Sequence, residues 1–107
     1  MIEPHSAAPS TPVRSLFADD GEWDDLLRMF AETIPQKKQT LHDLLRGGAV
    51  DEIRQLAHQI KGAGGGYGFP ELSQVAAALE QSCQSNSADR VARAVDDLVD
   101  YLDRIEV

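Results

Sequence analysis

The chain has 107 residues, of which 42% are hydrophobic and 26% charged, enough for one domain with one core and too hydrophobic for disorder throughout. Its formal net charge of −8 would repel nucleic-acid phosphates and anionic lipids, which argues against nucleic acid and membranes as partners. A single cysteine, the lack of an apolar run long enough for a membrane span and the lack of a signal-peptide pattern lead us to expect a cytoplasmic protein.

The first segment, residues 1–12, contains Pro4, Pro9 and Pro12 among small polar residues. This composition favours an extended, mobile tail, so we expect the folded domain to comprise residues 13–107. Within that domain the apolar residues are spaced as in helices, and no convincing strand alternation appears.

Five helical segments are predicted in chain order. The first, at about 20–34, carries an apolar stripe on one face. That stripe comprises Trp23, Leu26, Leu27, Phe30 and Ile34. The others run over about 35–46, from about 49 into a glycine-rich stretch, from 70 to about 83 and over about 87–105. Because short connections make consecutive helices antiparallel neighbours, the predicted fold is all-α, an antiparallel up-and-down four-helix bundle with an additional N-terminal helix.

The third predicted helix contains a histidine that faces away from its apolar side. At about 100° per residue, His58 lies about 140° from Ile53, nearly opposite the expected core. Arg54 and Lys61 flank it on the same face. Although the whole chain is acidic, residues 35–86 carry five acids and five bases. The local cations could therefore face an anionic group within an acidic protein.

The glycine-rich stretch contains five glycines within seven residues: Gly62, Gly64, Gly65, Gly66 and Gly68. Each glycine in a helix interior costs about 1 kcal/mol relative to alanine. Gly64 faces the core and allows close helix packing, whereas Gly62 and Gly65 face outward. Two explanations remain open for the outward glycines: the helix ends at Gly62, or the glycines keep the surface around His58 flat for a partner. Their spacing fits neither common phosphate-binding loop motif.

These residues resemble the signature of the histidine phosphotransfer (HPt) domain family, H-x-x-K-G-[SA]-[small]-x-x-x-G. The run 58–64 reads His-Gln-Ile-Lys-Gly-Ala-Gly, Gly68 follows at the matching offset, and the pair Leu79–Glu80 in the next helix also fits. Two positions depart mildly from the pattern, since Ala63 stands where serine is common and Gly66 where asparagine is common. The resemblance covers about residues 20–105.

The resemblance implies a phosphoryl carrier without a nucleotide site. His58 would accept a phosphoryl group through Nε2 from a receiver-domain aspartate and pass it to another, and Lys61 would meet the phosphoryl charge. The implied partners are receiver domains of response regulators, a hybrid sensor histidine kinase, or both, and the chain is expected to be a monomer. No cofactor is expected on this chain, since Mg²⁺ would belong to the receiver. The expected docking surface comprises Arg54, Gln55, Gln59, Gly62 and Gly65.

Two other kinds of protein stay open at this point. One is a non-phosphorylated helical adaptor that binds receiver or kinase domains, although the presence of both His58 and Lys61 argues against it. The other is a metal-binding bundle, but His5 lies in the predicted tail and His42 on a different helix, so the sequence does not support a three-histidine site.

Overall fold

The structure, a computed structural model, describes residues 11–107. Residues 1–10 of the predicted tail lie outside the described residues, so the mobility predicted for residues 1–12 stays a prediction. The elements are β1 (Val13–Arg14), a 3₁₀ turn (Gly21–Trp23), α1 (Asp24–Glu32), α2 (Ile34–Arg46), α3 (Val50–Gly66), α4 (Pro70–Ser82), α5 (Ala88–Arg104) and β2 (Ile105–Glu106). The predicted all-α bundle with an additional N-terminal helix is confirmed.

Helices α2 to α5 close into a four-membered bundle. Helix α3 packs against α4, α4 against α5, and α2 against both α3 and α5, while α1 packs against the start of α2. Each helix of the bundle directs apolar residues spaced three or four apart into one core. The fully buried members include Leu41, Ile53, Ala57, Ile60, Leu72, Ala76, Leu79, Val95 and Leu98. Burying each leucine or isoleucine side chain stabilises the fold by about 1.5–3 kcal/mol.

Local signals in the sequence set several helix boundaries. The Ser87 side chain accepts a hydrogen bond from the backbone N–H of Arg90 and thereby caps α5. Pro35 and Pro70 lie in the first turns of α2 and α4, where a missing N–H costs nothing. Leu26 belongs to the apolar stripe predicted for the first helix, but it is 43% exposed. Because α1 covers only one end of the bundle, Leu27 and Phe30 suffice to fill its contact with the core.

A short segment before α1, residues 13–17, joins the two ends of the domain and is called the strap below. The sequence did not predict it. Val13 pairs with Ile105 in a parallel ladder of two residues per strand, too short for an alternating pattern. Ser15 is buried, and its Oγ donates to the carbonyl of Tyr67 at 2.6 Å. The strap thus holds the turn that follows α3. Gly68 in that turn has a φ of +83°, and a Cβ there would lie 2.9 Å from the Phe17 ring.

Candidate phosphotransfer site

Helix α3 continues through its glycines to Gly66, so the alternative that it ends at Gly62 is wrong. The glycines are accommodated by close packing between α3 and α4. A Cβ on Gly64 would lie 2.8 Å from the backbone nitrogen of Ser73 and 3.1 Å from the carbonyl oxygen of Phe69. Ser73 Oγ donates to the carbonyl of Lys61 at 2.6 Å. Only a residue without a side chain lets the two backbones approach this closely, and the resulting contacts offset part of the helix penalty.

The candidate phosphoacceptor His58 lies on the outer face of α3, as its phase in the helix predicts. Its side chain is 66% exposed. Residues at the core-facing positions of the same helix, Ile53, Ala57 and Ile60, are fully buried. An imidazole in this position is open to another macromolecule and does not contribute to the core.

A carboxylate on the neighbouring helix links the histidine to the lysine. His58 Nδ1 lies 3.1 Å from Oε2 of Glu80, and Lys61 Nζ lies 2.9 Å from Oε1 of the same carboxylate. The Glu80 side chain is 20% exposed, whereas those of His58 and Lys61 are 66% and 39% exposed. The two candidate site residues from α3 are therefore brought together by one partly shielded residue of α4.

The contacts of Glu80 with His58 and Lys61 favour the ionised form of its carboxyl group. The hydrogen bond from Lys61 lowers the pKa of Glu80 below its ordinary value of 4.5, partial desolvation opposes the shift, and the hydrogen bond with His58 lowers the pKa further. An ionised carboxylate only accepts hydrogen bonds, so Nδ1 of His58 must carry the proton in this contact. In the neutral ring, the lone pair is then on Nε2.

Three of the five predicted docking residues lie around His58. Arg54, Gln55 and Gln59 line a shallow cavity of about 330 Å³ together with His58 and Glu80. Arg54 is half-buried, and the two glutamines are exposed. The other two predicted docking residues, Gly62 and Gly65, are exposed further along α3, and a Cβ on Gly62 would meet nothing within 4 Å. The face next to His58 is therefore flat where α3 carries glycine.

Sequence reasoning assigned no role to Glu80 and did not identify the groove beside the histidine face. Helix periodicity could have indicated Glu80. This residue lies two turns after Ser73, so it shares the face of α4 that contacts α3. The groove lies between α1 and α3 and has a volume of about 340 Å³. Met29, 61% exposed, lines it together with Phe30, Thr33, Lys37, Gln59, Ala63 and Tyr67.

Among residues 11–107, no group of three or more histidine, cysteine, aspartate or glutamate side chains is placed to hold a metal ion. Over the same residues, no helix combines the length and apolar character needed to cross a membrane.

Comparison with known proteins identifies the family. The model of the Hpt domain matches residues 25–107, which is most of the chain and includes all five α-helices except the first residue of α1. No curated protein and no solved structure matches the chain. The chain belongs to the Hpt domain family. Domains of this family serve histidine phosphotransfer in phosphorelays as phosphoryl carriers, and they interact with receiver domains and kinases of two-component systems.

Proposed function

We propose that this chain is a phosphorelay intermediate that accepts a phosphoryl group on His58 from a receiver aspartate and passes it to another receiver aspartate. The observation that carries the proposal is the contact between Nδ1 of His58, whose side chain is 66% exposed, and Glu80, because this contact leaves the lone pair of the neutral ring on Nε2. A neutral imidazole with an accessible lone pair is a competent nucleophile.

In the proposed step, the Nε2 lone pair attacks the phosphorus of the receiver's aspartyl phosphate. A P–N bond forms while the P–O bond to the aspartate breaks, and the receiver's carboxylate leaves with the bonding electrons. The proton on Nδ1 stays in the contact with Glu80, whose negative charge stabilises the positive charge that develops on the ring. Return transfer reverses these changes. The Mg²⁺ that supports this chemistry would be bound by the receiver, and no residue of this chain is assigned to it.

The proposed receiver-docking surface extends from the histidine face to the groove between α1 and α3. Gln59 lines both the cavity at His58 and the groove, so the two surfaces are continuous. The exposed Met29 would supply apolar contact area, and Gly62 and Gly65 would let the receiver backbone approach the ring. We infer that the chain acts as a monomer and that it works in the cytoplasm; its single cysteine is consistent with a reducing compartment.

The direct test is chemical. The protein is incubated with a receiver domain phosphorylated on aspartate, and the transferred phosphate is then characterised and mapped. We expect acid-labile, base-stable phosphate on a peptide that contains His58. A receiver that binds the protein without any transfer of phosphate would contradict the proposal and support the adaptor function.

Lys61→Ala should slow phosphoryl transfer about tenfold while weakening receiver binding less, because its ammonium group meets the phosphoryl charge that moves during the reaction. Rapid-quench transfer rates and receiver affinity measured separately would check this. Lys38→Ala is the matched control, since Lys38 pairs with Asp103 away from the site. Equal transfer rates for both variants would show that Lys61 only pairs with Glu80.

Glu80→Gln should slow transfer about tenfold, because an amide can donate or accept at Nδ1 and no longer fixes the ring tautomer. Nitrogen NMR of the His58 ring should show more of the form protonated on Nε2. The two spectra are compared at alkaline pH, where the ring is neutral and has a defined tautomer, and where Glu80, whose pKa is lowered, is fully ionised.

Glu71→Gln is the control for Glu80→Gln, because Glu71 lies on the same helix but contacts Tyr101. This variant should leave the His58 tautomer unchanged. An unchanged tautomer in Glu80→Gln as well would remove the positioning role of Glu80.

A further inference from the structure

A second groove lies on a different side of the bundle from the phosphotransfer site. It follows the seam between α4 and α5, has a volume of about 520 Å³ and is lined by neither His58 nor Glu80. Past Ala78 and Ala94 it continues into a neighbouring depression of about 320 Å³. The proposed phosphoryl transfer makes no use of this surface.

The floor of the groove is mainly apolar, and small side chains form its centre. Ala78 of α4 and Ala94 of α5 face each other across the seam, with Val75 and the ring of Tyr101 beside them. The large hydrophobic residues that are exposed between 11 and 107 are Leu16, Leu26, Met29 and Val107. None lies on α4 or α5, so a second copy that presented the same helices would have no leucine-sized side chain with which to fill the seam.

The charges along the groove change sign. Its middle carries Asp97 and Asp100, which are exposed, lie on one face of α5 and repel each other. The depression at the other end carries Arg90 and Arg93. None of these four side chains forms an ion pair within residues 11–107. The fifth nearby charge, Arg104, lies over the Tyr101 ring at 5.0 Å.

We propose that the seam between α4 and α5 binds a helical segment of another protein. That segment carries a stripe of leucine-sized side chains, with lysines or arginines flanking one half and glutamates or aspartates flanking the other. The apolar stripe fills the trough over Ala78 and Ala94, the basic half pairs with Asp97 and Asp100, and the acidic half pairs with Arg90 and Arg93. Binding at this seam does not require the phosphoacceptor.

The probe is a synthetic amphipathic peptide of roughly 20 residues, long enough to form a helix, with one leucine stripe, a lysine-flanked half and a glutamate-flanked half. Its zero net charge avoids general attraction to the acidic protein. A control peptide of the same composition has its lysines and glutamates interspersed. In NMR titrations of the full chain, we expect amide shifts confined to α4 and α5, and at least about tenfold weaker binding of the control peptide.

Two pairs of substitutions with the same change in net charge sharpen the test. Asp97→Asn with Asp100→Asn should weaken binding about tenfold, whereas Asp51→Asn with Glu52→Gln, at the start of α3, should change it less than about twofold. His58→Gln should bind the peptide like the wild type. Three results would each overturn the proposal. The two double variants could lose peptide affinity equally, or the peptide could shift amide signals around His58. Signals of α4 and α5 could also shift with protein concentration in the absence of peptide, which would indicate self-association.

Discussion

His58→Gln should abolish phosphoryl uptake from a phosphorylated receiver and leave helicity and melting temperature nearly unchanged. Loss of the only proposed nucleophile removes the P–N bond on which transfer depends, since the glutamine amide nitrogen has no available lone pair. Stability should change little because the side chain is 66% exposed and its contact with Glu80 is a surface pair. Such pairs contribute little to the free energy of unfolding.

The matched control is His42→Gln, which changes a histidine on α2, outside the site. It should accept phosphate at the wild-type rate. Receiver affinity should persist in His58→Gln, which separates loss of chemistry from loss of docking. Phosphate uptake by His58→Gln equal to that of wild type would exclude His58 as the acceptor.

The helical architecture could be predicted because its causes are local. The apolar residues of α3 and α5 recur with the period of a helix, and Pro35, Pro70 and Ser87 mark helix starts within one residue of their positions in the structure. The outward direction of His58 follows from the same periodicity. The sequence alone was therefore enough to predict the bundle, the exposed position of His58 and the position of Lys61 beside it.

The remaining parts of the site depend on how separate elements pack. Glu80 contacts His58 only because α3 and α4 approach closely at Gly64 and Ser73, and helix periodicity does not give that register. The strap is similar, because the burial of Ser15 depends on a turn more than fifty residues away in the chain. Leu26 lies in the apolar stripe of the first helix but is largely exposed. Helix periodicity shows which face of α1 is apolar, but it does not show how much of that face the bundle covers.

The neighbouring glycines Gly64 and Gly65 should respond oppositely to the same substitution. Gly64→Gln should destabilise the domain by about 3 kcal/mol or more, because a side chain there would overlap backbone atoms of α4 and bury an unsatisfied amide. A Cβ at Gly65 would instead meet only Ser73 Oγ, at an ordinary 3.8 Å. Gly65→Gln should stabilise the domain by up to about 1 kcal/mol, since glycine loses the most conformational freedom on entering a helix.

Function should separate from stability in the Gly65 variant. Gly65 lies two turns after His58 on the same face of α3, so the glutamine side chain would project into the proposed path of the receiver and transfer should fall. Gly66→Gln is the control, because this exposed position points about 80° away from His58 and should leave transfer unchanged. Chemical denaturation and transfer rates, measured on all three variants, give the two readouts. A more stable Gly65→Gln with full transfer activity would show that the receiver does not approach over Gly65, and the docking surface would then have to lie on the Arg54 side of the histidine.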